Sequence, residues 1–416
     1  MRLAIVSPLP PAPTGIADYT MDVVRALRGT HSMELFHDQV EVLVPDPPAF
    51  HISELPVRDG KTRFDAIVYQ MGNAPAHDFM YDWMERHPGI VVLHDLVLHH
   101  SYTRRFLESP ESQAYAADPS SHEKRMKAEA KHEGYRSAIE AVYPGQGERL
   151  KDAHFNSTGD LLPYVFPLFE PSLIHARAAA AHNDFMLESM RVARPDLSVT
   201  KVAMPVRRIR TDVATVAALR VRWGIKDGDL VVGAFGLLTR EKRIDTLARA
   251  FKRIAEIHPG ARLLLAGPAA DPEWLRGALD NACVTARTIV TGRLDTAEFS
   301  AAMELSTVVV HLRYPTARET SAALLRVMAQ GRPVVISDIA NQSEIPDDAV
   351  RRVDPTDEEG GVARAIDALA RDPKLAQRLG SRAREFSETE HSDQRTLETY
   401  DRLLNSARPH YSHPSP

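Results

Sequence analysis

The stretch from residue 307 to residue 338 constrains the fold more than any other part of this chain. It reads TVVVHLRYPTARETSAALLRVMAQGRPVVISD. The β-branched run 308–310 and the apolar run 333–337 each have the length of a buried strand. Between them, residues 322–330 carry apolar side chains at helical spacing, and the pattern stops at Gly331. Two successive strands joined by a helix predict a parallel sheet that is buried on both faces.

Polar residues occupy the loop that joins the first of these strands to the helix. Such a loop lies at the carboxyl edge of a parallel sheet, which is where ligands bind. N–H groups at the start of the helix, near Thr320 and Ser321, favour a phosphate there through hydrogen bonds and the helix dipole. The polar residues of this loop are Tyr314, Thr316, Arg318, Glu319, Thr320 and Ser321.

Alternating apolar strands and amphipathic helices run through both halves of the chain, which predicts an α/β fold with doubly wound parallel sheets. Predicted strands lie at 3–6, 40–44, 64–69, 90–93, just before residue 182, and at 199–204, 230–235, 261–266, 288–291, 308–310 and 333–337. Predicted helices lie at 16–27, 78–86, 122–142, 185–190, in part of 206–225, and at 247–254, 322–330, 359–369, 375–388 and 394–405.

The length of 416 residues predicts two domains, because single cores stop growing at roughly 250–300 residues. We place the amino-terminal domain at 1–204, the carboxyl-terminal domain at 205–390, and a final helix with a frayed tail at 391–416. A polar helical insertion is predicted at about 113–159. It is interpreted either as a solvated element or as one that covers an acceptor or touches a membrane.

Composition and charge exclude several classes of partner. With 51 basic and 56 acidic residues the net charge is −5, which gives no reason to expect nucleic acid or an anionic membrane as the main partner. The single cysteine, Cys283, forms no internal disulfide and is predicted to fill a core. The first apolar run is too short for a secretory signal, and no 18 apolar residues run together. We expect a cytoplasmic protein with at most peripheral membrane contact.

Two positions in the first half are candidates for ligand contact. Gly15 lies between the first strand and the first helix, where an anion or a sugar can touch the backbone, although a tight turn without a ligand explains it equally well. His94 and Asp95 directly follow the strand 90–93, where an imidazole can bond a sugar hydroxyl or serve a structural role. Adjacent histidines at 99 and 100 point about 100° apart on a helix, so we expect no metal site there.

A cationic loop follows the first strand of the second half. Arg240, Lys242 and Arg243 lie in the segment GLLTREKRI that begins at Gly236, and cations at this edge suit a diphosphate. A solvated basic turn is the alternative. A further strand closes on Gly292 and Arg293 at the same edge.

Five segments of the chain resemble motifs of glycosyltransferase family 4. They are PLPPAPTGIADYT, VVLHD, FGLLTREKRI, VTGRLD and LRYPTARETSAALLRVMAQGRPVVISD, and the resemblance spans residues 1 to about 405 apart from 113–159. It implies the GT-B fold, in which an acceptor domain and a nucleotide-sugar domain, both Rossmann-like, face a cleft and the final helix crosses back to the first. It also implies a retaining, metal-independent hexosyltransferase. The acceptor would be a hydroxyl of a glycan, a lipid-linked glycan or a small molecule.

The resemblance assigns roles to individual residues. Gly15 corresponds to the glycine near the donor phosphates, His94 to the histidine that touches the transferred sugar, and Lys242 to the lysine on the diphosphate. The arginine usual in the family after the first-strand glycine is here Leu237, so we assign its charge to Arg240.

A second departure concerns two glutamates that many family members carry with seven residues between them. These positions are Arg318 and Arg326 here, so Glu319 becomes the predicted sugar contact and the donor ribose has no assigned partner. The predicted catalytic residues are His94, Lys242, Arg240 and Glu319, and the predicted donor-binding residues are Gly15, Gly236, Arg293, Thr320, Ser321 and Ala322.

The chemistry that the resemblance implies depends on charge. Cleavage of the anomeric bond builds negative charge on the diphosphate, so fixed cations and helix N–H groups lower the barrier. The acceptor would attack from the face that the phosphate leaves, and a phosphate oxygen would take its proton. Two other interpretations stay open. One is another GT-B enzyme such as a nucleotide-sugar epimerase, and the other is a non-catalytic binding or scaffold protein.

Overall fold

Parallel sheets form the centre of both halves of the chain. The computed structural model describes residues 1–44, 46–158 and 161–407, which form two units. Unit 1 comprises Met1–Pro205, Ala317–Thr320 and the chain from Thr396, and unit 2 comprises Val206–Thr316 and Ser321–Arg395. The predicted tail beyond residue 407 and the predicted end of the insertion at residue 159 lie outside the described residues.

Unit 1 is built on a seven-stranded sheet in the order β3-β2-β1-β4-β5-β6-β7. All neighbouring strands in it run parallel. The strands are β1 (Arg2–Val6), β2 (Ser32–His37), β3 (Ala49–His51), β4 (Ala66–Met71), β5 (Ile90–Leu93), β6 (Ala178–Ala181) and β7 (Val199–Lys201). The helices are α1 (Gly15–Leu27), α2 (Leu55–Lys61), α3 (Met80–Arg86), α4 (His99–Tyr102), α5 (Pro110–Ala117), α6 (His122–Val142), α7 (Gly147–Phe155), α8 (Leu162–Val165) and α9 (Asp184–Ala193).

Unit 2 repeats the plan with a six-stranded parallel sheet in the order β10-β9-β8-β11-β12-β13. The strands are β8 (Val231–Phe235), β9 (Arg262–Ala266), β10 (Thr288–Val290), β11 (Val308–His311), β12 (Val334–Ser337) and β13 (Arg351–Val353). The helices are α10 (Val213–Arg222), α11 (Ile244–Ile257), α12 (Pro272–Asn281), α13 (Thr296–Leu305), α14 (Ala322–Ala329), α15 (Glu358–Arg371) and α16 (Pro373–Glu390). The predicted strand, helix and strand of 307–338 are confirmed as β11, α14 and β12.

The last helix, α17 (Asp393–Ala407), packs on unit 1 from Thr396 onward. Its Thr399 Oγ1 accepts a hydrogen bond from the N–H of Ala203 at 3.0 Å. Tyr400, Leu403 and Leu404 of the same helix are buried. Tyr400 is therefore part of the unit 1 core, although it lies almost at the opposite end of the chain from β1.

The polar insertion is helical, as predicted, but it is not only a solvated element. It forms α5, α6 and α7, and it enters the chain between β5 and β6, which are direct neighbours in the sheet. Tyr135 and Ile139 of α6 are fully buried in the unit 1 core. The other face of α6 carries the charged residues on which the interpretation as a solvated element was based.

Two local predictions are wrong. Residues 40–44 form no regular element, and Val40 and Leu43 are exposed. The strand of this region is β2, which lies earlier in the chain. Its charged Glu34 interrupts the apolar pattern, and Arg2 and Arg58 donate to this carboxylate at 2.7 and 2.6 Å. Cys283 does not fill a core either. It is exposed with φ of 55°, in the turn after α12, and the neighbouring Ala282 and Val284 take the buried positions.

No helix in the part of the chain that the structure describes is both long enough and apolar enough to cross a bilayer.

Candidate functional site

Two glycines shape the carboxyl edge of the unit 2 sheet. Gly236 follows β8 with φ of +87°, and Gly267 follows β9 with φ of +152°. The N–H of Gly236 donates to the carbonyl of Ala266 at 2.9 Å, which keeps the two strand ends together. A Cβ on Gly267 would lie 2.2 Å from the carbonyl oxygen of Gly236. Because backbone cannot move aside as a flexible side chain can, this close approach requires glycine at position 267.

Lys242 lies directly above the first of these glycines. Its short helical turn, Arg240–Lys242, ends at Arg243, whose left-handed backbone with φ of 55° starts α11. The Lys242 ammonium donates to the carbonyl of Phe235 at 2.7 Å. A Cβ on Gly236 would come within 2.8 Å of Lys242 Nζ. The fold therefore holds one positive charge at the end of β8.

The first turn of α14 borders the same place. Ser321 is the N-cap, and its hydroxyl accepts from the N–H of Leu324 at 3.3 Å. A Cβ on Gly236 would lie 3.5 Å from the Cβ of Ala323. The structure thus brings Gly236, Lys242 and the start of α14 together. The first N–H groups of a helix have no acceptor within the helix, so this corner combines an ammonium with oriented N–H dipoles.

The other two cations of the loop have partners within unit 2. Arg240 is exposed, pairs with Asp271 at 3.1 Å, and lies 5.0 Å from the centre of the Trp274 ring. Arg243 donates to Glu358 at 2.9 Å, and this buried carboxylate also accepts from the Ser337 hydroxyl at 3.0 Å. Arg243 therefore neutralises a buried acid that links α11 to α15. Arg240 would have to exchange Asp271 for a phosphate in order to bind one.

Arg293 and Lys242 follow strands that are not neighbours in the unit 2 sheet. Arg293 follows β10, and β10 is separated from β8 by β9. Gly292 before it has φ of +68°, and the Arg293 side chain is exposed.

His311 is a residue of this edge that the motifs did not reveal. It is the last residue of β11, is buried, and its Nε2 has no hydrogen-bond partner among the described residues. Burial, and then the charges of Arg313 and Lys242, lower the pKa of His311 well below its ordinary value. A neutral imidazole is therefore expected beside the Lys242 ammonium.

At the carboxyl edge of the unit 1 sheet, His94 is buried among aromatic side chains. The ring of Tyr19 meets it edge-on with centroids 4.5 Å apart, and the ring of His182 lies 4.8 Å away. His94 Nε2 lies 3.0 Å from Oε1 of Gln70. Burial, together with His182 and His77, lowers the pKa of His94 well below its ordinary value. The side chain is thus a neutral donor and acceptor and carries no charge.

Gly15 is the first residue of α1 and is exposed. Its N-cap Thr14 accepts from the N–H of Ala17 at 3.1 Å. No other part of the structure lies within 4 Å of the position that a Gly15 Cβ would take. The backbone at this helix start is therefore open to a ligand, although nothing in its packing requires glycine.

The loop segment 317–320 belongs to unit 1. Asn183, the N-cap of α9, donates to the carbonyl of Arg318 at 2.9 Å and to the Thr320 hydroxyl at 3.1 Å. The Arg318 guanidinium lies 4.7 Å from the centre of the Phe185 ring. Glu319 is half-buried between these two anchored residues. Residues of α9 and its N-cap thus anchor both neighbours of the predicted sugar contact.

His99 has a structural role. Its ring nitrogens lie 2.6 Å from the carbonyl of Phe166 and 2.6 Å from the Tyr135 hydroxyl. Among residues 1–44, 46–158 and 161–407, no group of three or more histidine, cysteine or acidic side chains is arranged to hold a metal ion.

Comparison with known proteins agrees with this architecture. Residues 216–386 match the family model described as glycosyl transferases group 1. The structure of HepE from Anabaena in complex with UDP-glucose is 15% identical, with a TM-score of 0.64, over 98% of this chain and 100% of that one. Sucrose-phosphate synthase from Thermosynechococcus elongatus is 15% identical, with a TM-score of 0.63, over 97% and 98%.

WaaG, a glycosyltransferase involved in lipopolysaccharide biosynthesis, is 11% identical, with a TM-score of 0.60, over 99% of this chain and 100% of its own. No curated protein matches the sequence. The fold is GT-B, with two Rossmann-like parallel-sheet domains, as predicted. Together with the match in unit 2, it supports a GT-B glycosyltransferase.

Proposed function

We propose that this protein is a retaining, metal-independent glycosyltransferase of family 4 that moves a hexosyl group from a nucleotide-sugar donor to a hydroxyl acceptor. The observation that carries the proposal is the corner at Gly236, where the Lys242 ammonium and the start of α14 lie together inside the segment that matches glycosyl transferases group 1.

The leaving diphosphate gains negative charge as the anomeric bond breaks. An ammonium and helix N–H groups that are already in place stabilise that charge without reorganisation, which lowers the barrier. In this proposal Lys242 and the first turn of α14 bind the diphosphate, and Arg240 adds a second cation after releasing Asp271. Because these cations come from the protein, the leaving group needs no metal ion.

The resemblance to family 4 assigns His94 and Glu319 to the transferred sugar. A neutral His94 can bond a sugar hydroxyl in either direction. Glu319 would accept from another hydroxyl, and Asn183 fixes its neighbours Arg318 and Thr320. The acceptor oxygen would attack from the face that the diphosphate leaves, and a phosphate oxygen would take its proton, so the anomeric configuration is retained.

The donor base can be identified by ligand stabilisation. HepE and this chain share the GT-B fold, and HepE was crystallised with UDP and with UDP-glucose, which makes uridine the first base to test. A nucleoside diphosphate at ~100 times its Kd should stabilise the protein by about 2.7 kcal/mol. We would compare the melting temperatures with UDP, GDP and ADP, and then with hexose derivatives of whichever base stabilises the protein.

Transfer and its stereochemistry form the second test. Reaction with a panel of hydroxyl acceptors in EDTA, followed by proton NMR of the anomeric signal, should show a product with the configuration of the donor. A product with inverted configuration, or activity that EDTA abolishes, would contradict the retaining or the metal-independent part of the proposal respectively.

A non-catalytic nucleotide-sugar-binding protein is the second candidate. It is favoured by the arginines at positions 318 and 326, where the family pattern has glutamates. Such a protein would be stabilised by a nucleoside diphosphate but would form no product with any acceptor and would leave the donor unhydrolysed. A changed donor sugar in the absence of acceptor would instead indicate an epimerase.

A further inference from the structure

Gln70 is a polar side chain in the middle of the unit 1 sheet. It lies on β4, where all six residues are buried, and is itself 0% exposed. A buried amide must find hydrogen-bond partners or destabilise the fold. The partners that Gln70 finds lie far apart in the sequence, and one of them is His94, a predicted sugar contact.

The Gln70 amide bridges two of these residues. Its Oε1 lies 3.0 Å from Nε2 of His94, and its Nε2 donates to the Tyr400 hydroxyl at 3.4 Å. The Tyr400 hydroxyl lies 2.6 Å from that of Tyr19. A continuous chain of hydrogen bonds therefore runs from α1 and α17 through β4 to the end of β5.

The orientation of the Gln70 amide determines which nitrogen of His94 carries the proton. An amide oxygen only accepts, so the atom that faces it, His94 Nε2, must donate. In a neutral imidazole the other nitrogen, Nδ1, is then an acceptor. Nδ1 of His94 has no hydrogen-bond partner among the described residues. An acceptor is thus left for a ligand at the carboxyl edge of the sheet.

The other groups that face His94 do not compete for Nε2. Tyr19 meets the His94 ring edge-on, and the His182 ring is tilted against it. Nδ1 of His182 lies 3.1 Å from the carbonyl of Val202. His77 places its Nδ1 3.0 Å from the Gln70 carbonyl, on the backbone of the same residue. Among residues 1–44, 46–158 and 161–407, Gln70 alone supplies the partner of His94 Nε2.

We propose that Gln70, held by the Tyr400 hydroxyl of the last helix, is a positioning residue that fixes His94 as the Nε2–H tautomer, so that Nδ1 accepts a hydrogen bond from a hydroxyl of the transferred sugar. The sugar contact rests on the proposed function. The tautomer does not, because it follows from the hydrogen bonds of unit 1.

The first experiment measures the tautomer without using activity. The full chain, labelled with ¹⁵N-histidine, is examined at pH 8 by long-range ¹H–¹⁵N correlation, and His94 is assigned from the spectrum of His94→Asn. We expect the Nε2-protonated pattern in the wild type and in Gln70→Glu, whose carboxylate also accepts from Nε2–H. In Gln70→Leu we expect a mixture of tautomers. An Nδ1-protonated wild type would overturn the proposal.

The second experiment uses kinetics with the donor identified by ligand stabilisation. Gln70→Leu should lower kcat by about tenfold with little change in the donor KM, the scale of one mispositioned hydrogen bond, and Gln70→Glu should recover most of that loss. Tyr400→Phe, which removes only the hydroxyl, should lower kcat less, and the control Tyr115→Phe on α5 should leave it unchanged.

The outcomes separate a positioning role from a purely structural one. If Gln70 only stabilises the sheet, the leucine variant will lose melting temperature while its kcat and the His94 spectrum stay as in the wild type, and the proposal fails. If Gln70→Leu does not fold, the wild-type spectrum and Tyr400→Phe still decide the matter. An Nε2–H spectrum in a protein without transferase activity would refute the proposed function and leave the tautomer assignment standing.

Discussion

At the residue scale, the position of the Lys242 ammonium depends on the absence of a side chain at Gly236. Gly236 has no side chain and a backbone φ of +87°, and the Lys242 ammonium occupies the space next to its Cα. The Phe235 carbonyl holds that ammonium at 2.7 Å. A ligand phosphate can therefore meet a positioned charge here, and each of the two residues can be tested separately.

Lys242→Ala should lower kcat/KM by about 100-fold or more, the usual scale for loss of one group that stabilises transition-state charge. The measurement is the initial rate at varied donor concentration. Lys252→Ala is the matched control, because Lys252 lies on the exposed side of α11 in the same unit. Equal rates for Lys242→Ala and the wild type would refute the assignment of Lys242.

Gly236→Ala should lower kcat/KM through Lys242, because the added Cβ would lie 2.8 Å from Nζ and the ammonium must move. The positive φ makes the substitution destabilising as well, by about 1 kcal/mol. Gly277→Ala is the control with the same chemical change. Gly277 lies in α12 with no neighbour within 4 Å of the new Cβ, so alanine there should stabilise by roughly 0.5–1 kcal/mol with no effect on rate.

At the element scale, much of the fold could be predicted because strong patterns coincide with single elements. β11, α14 and β12 are contiguous, and each is apolar with the period of its own structure. β2 and β13 were not predicted because charged residues interrupt their apolar patterns. Glu34 lies in β2, and Arg351 and Arg352 lie in β13. Their place in a sheet depends on neighbours that are distant in sequence, and a local pattern does not contain that information.

The residues of the candidate site likewise include some that local motifs predicted and some that they did not. Gly236, Lys242 and Ser321 lie within motifs whose spacing alone brings them to one sheet edge. His311 and Gln70 were missed because each is a lone polar residue in a buried strand, and its partners come from other elements. An uncharged polar residue inside an otherwise apolar strand, as in AIVYQM, is the signal that could have identified Gln70.

The N-cap of α14 leads to a prediction for an element. Ser321→Ala should cost about 1 kcal/mol of stability, because the N–H of Leu324 loses its acceptor. It should also weaken binding of the nucleoside diphosphate, since the cap orients the helix start that we assign to the phosphates. Ser121→Ala removes an equivalent cap from α6, which accepts from Lys124, and should cost stability without changing diphosphate affinity. An identical loss of affinity in both variants would contradict a phosphate role for α14.

At the scale of the whole molecule, both units bury histidines that cannot take up a proton easily. In unit 1, burial lowers the pKa of His77 to about 4 and that of His99 to about 4. In the unfolded chain the same imidazoles have a pKa near 6.5. Below about pH 6.5 the unfolded state therefore binds protons that the folded state does not, and the free energy of unfolding decreases as the pH falls.

Between pH 7.5 and pH 5.5 each of these two histidines should remove about 1.3 kcal/mol from the stability of unit 1. Urea unfolding at the two pH values measures the loss, and the double substitution Trp223→Phe and Trp274→Phe leaves Trp83 of unit 1 as the fluorescent reporter. His99→Gln should reduce the pH-dependent loss by about 1.3 kcal/mol, because a glutamine does not titrate, whereas His122→Gln, at an exposed position, should leave it unchanged. A stability that is equal at both pH values would mean that these imidazoles are protonated as readily in the folded state as in the unfolded one.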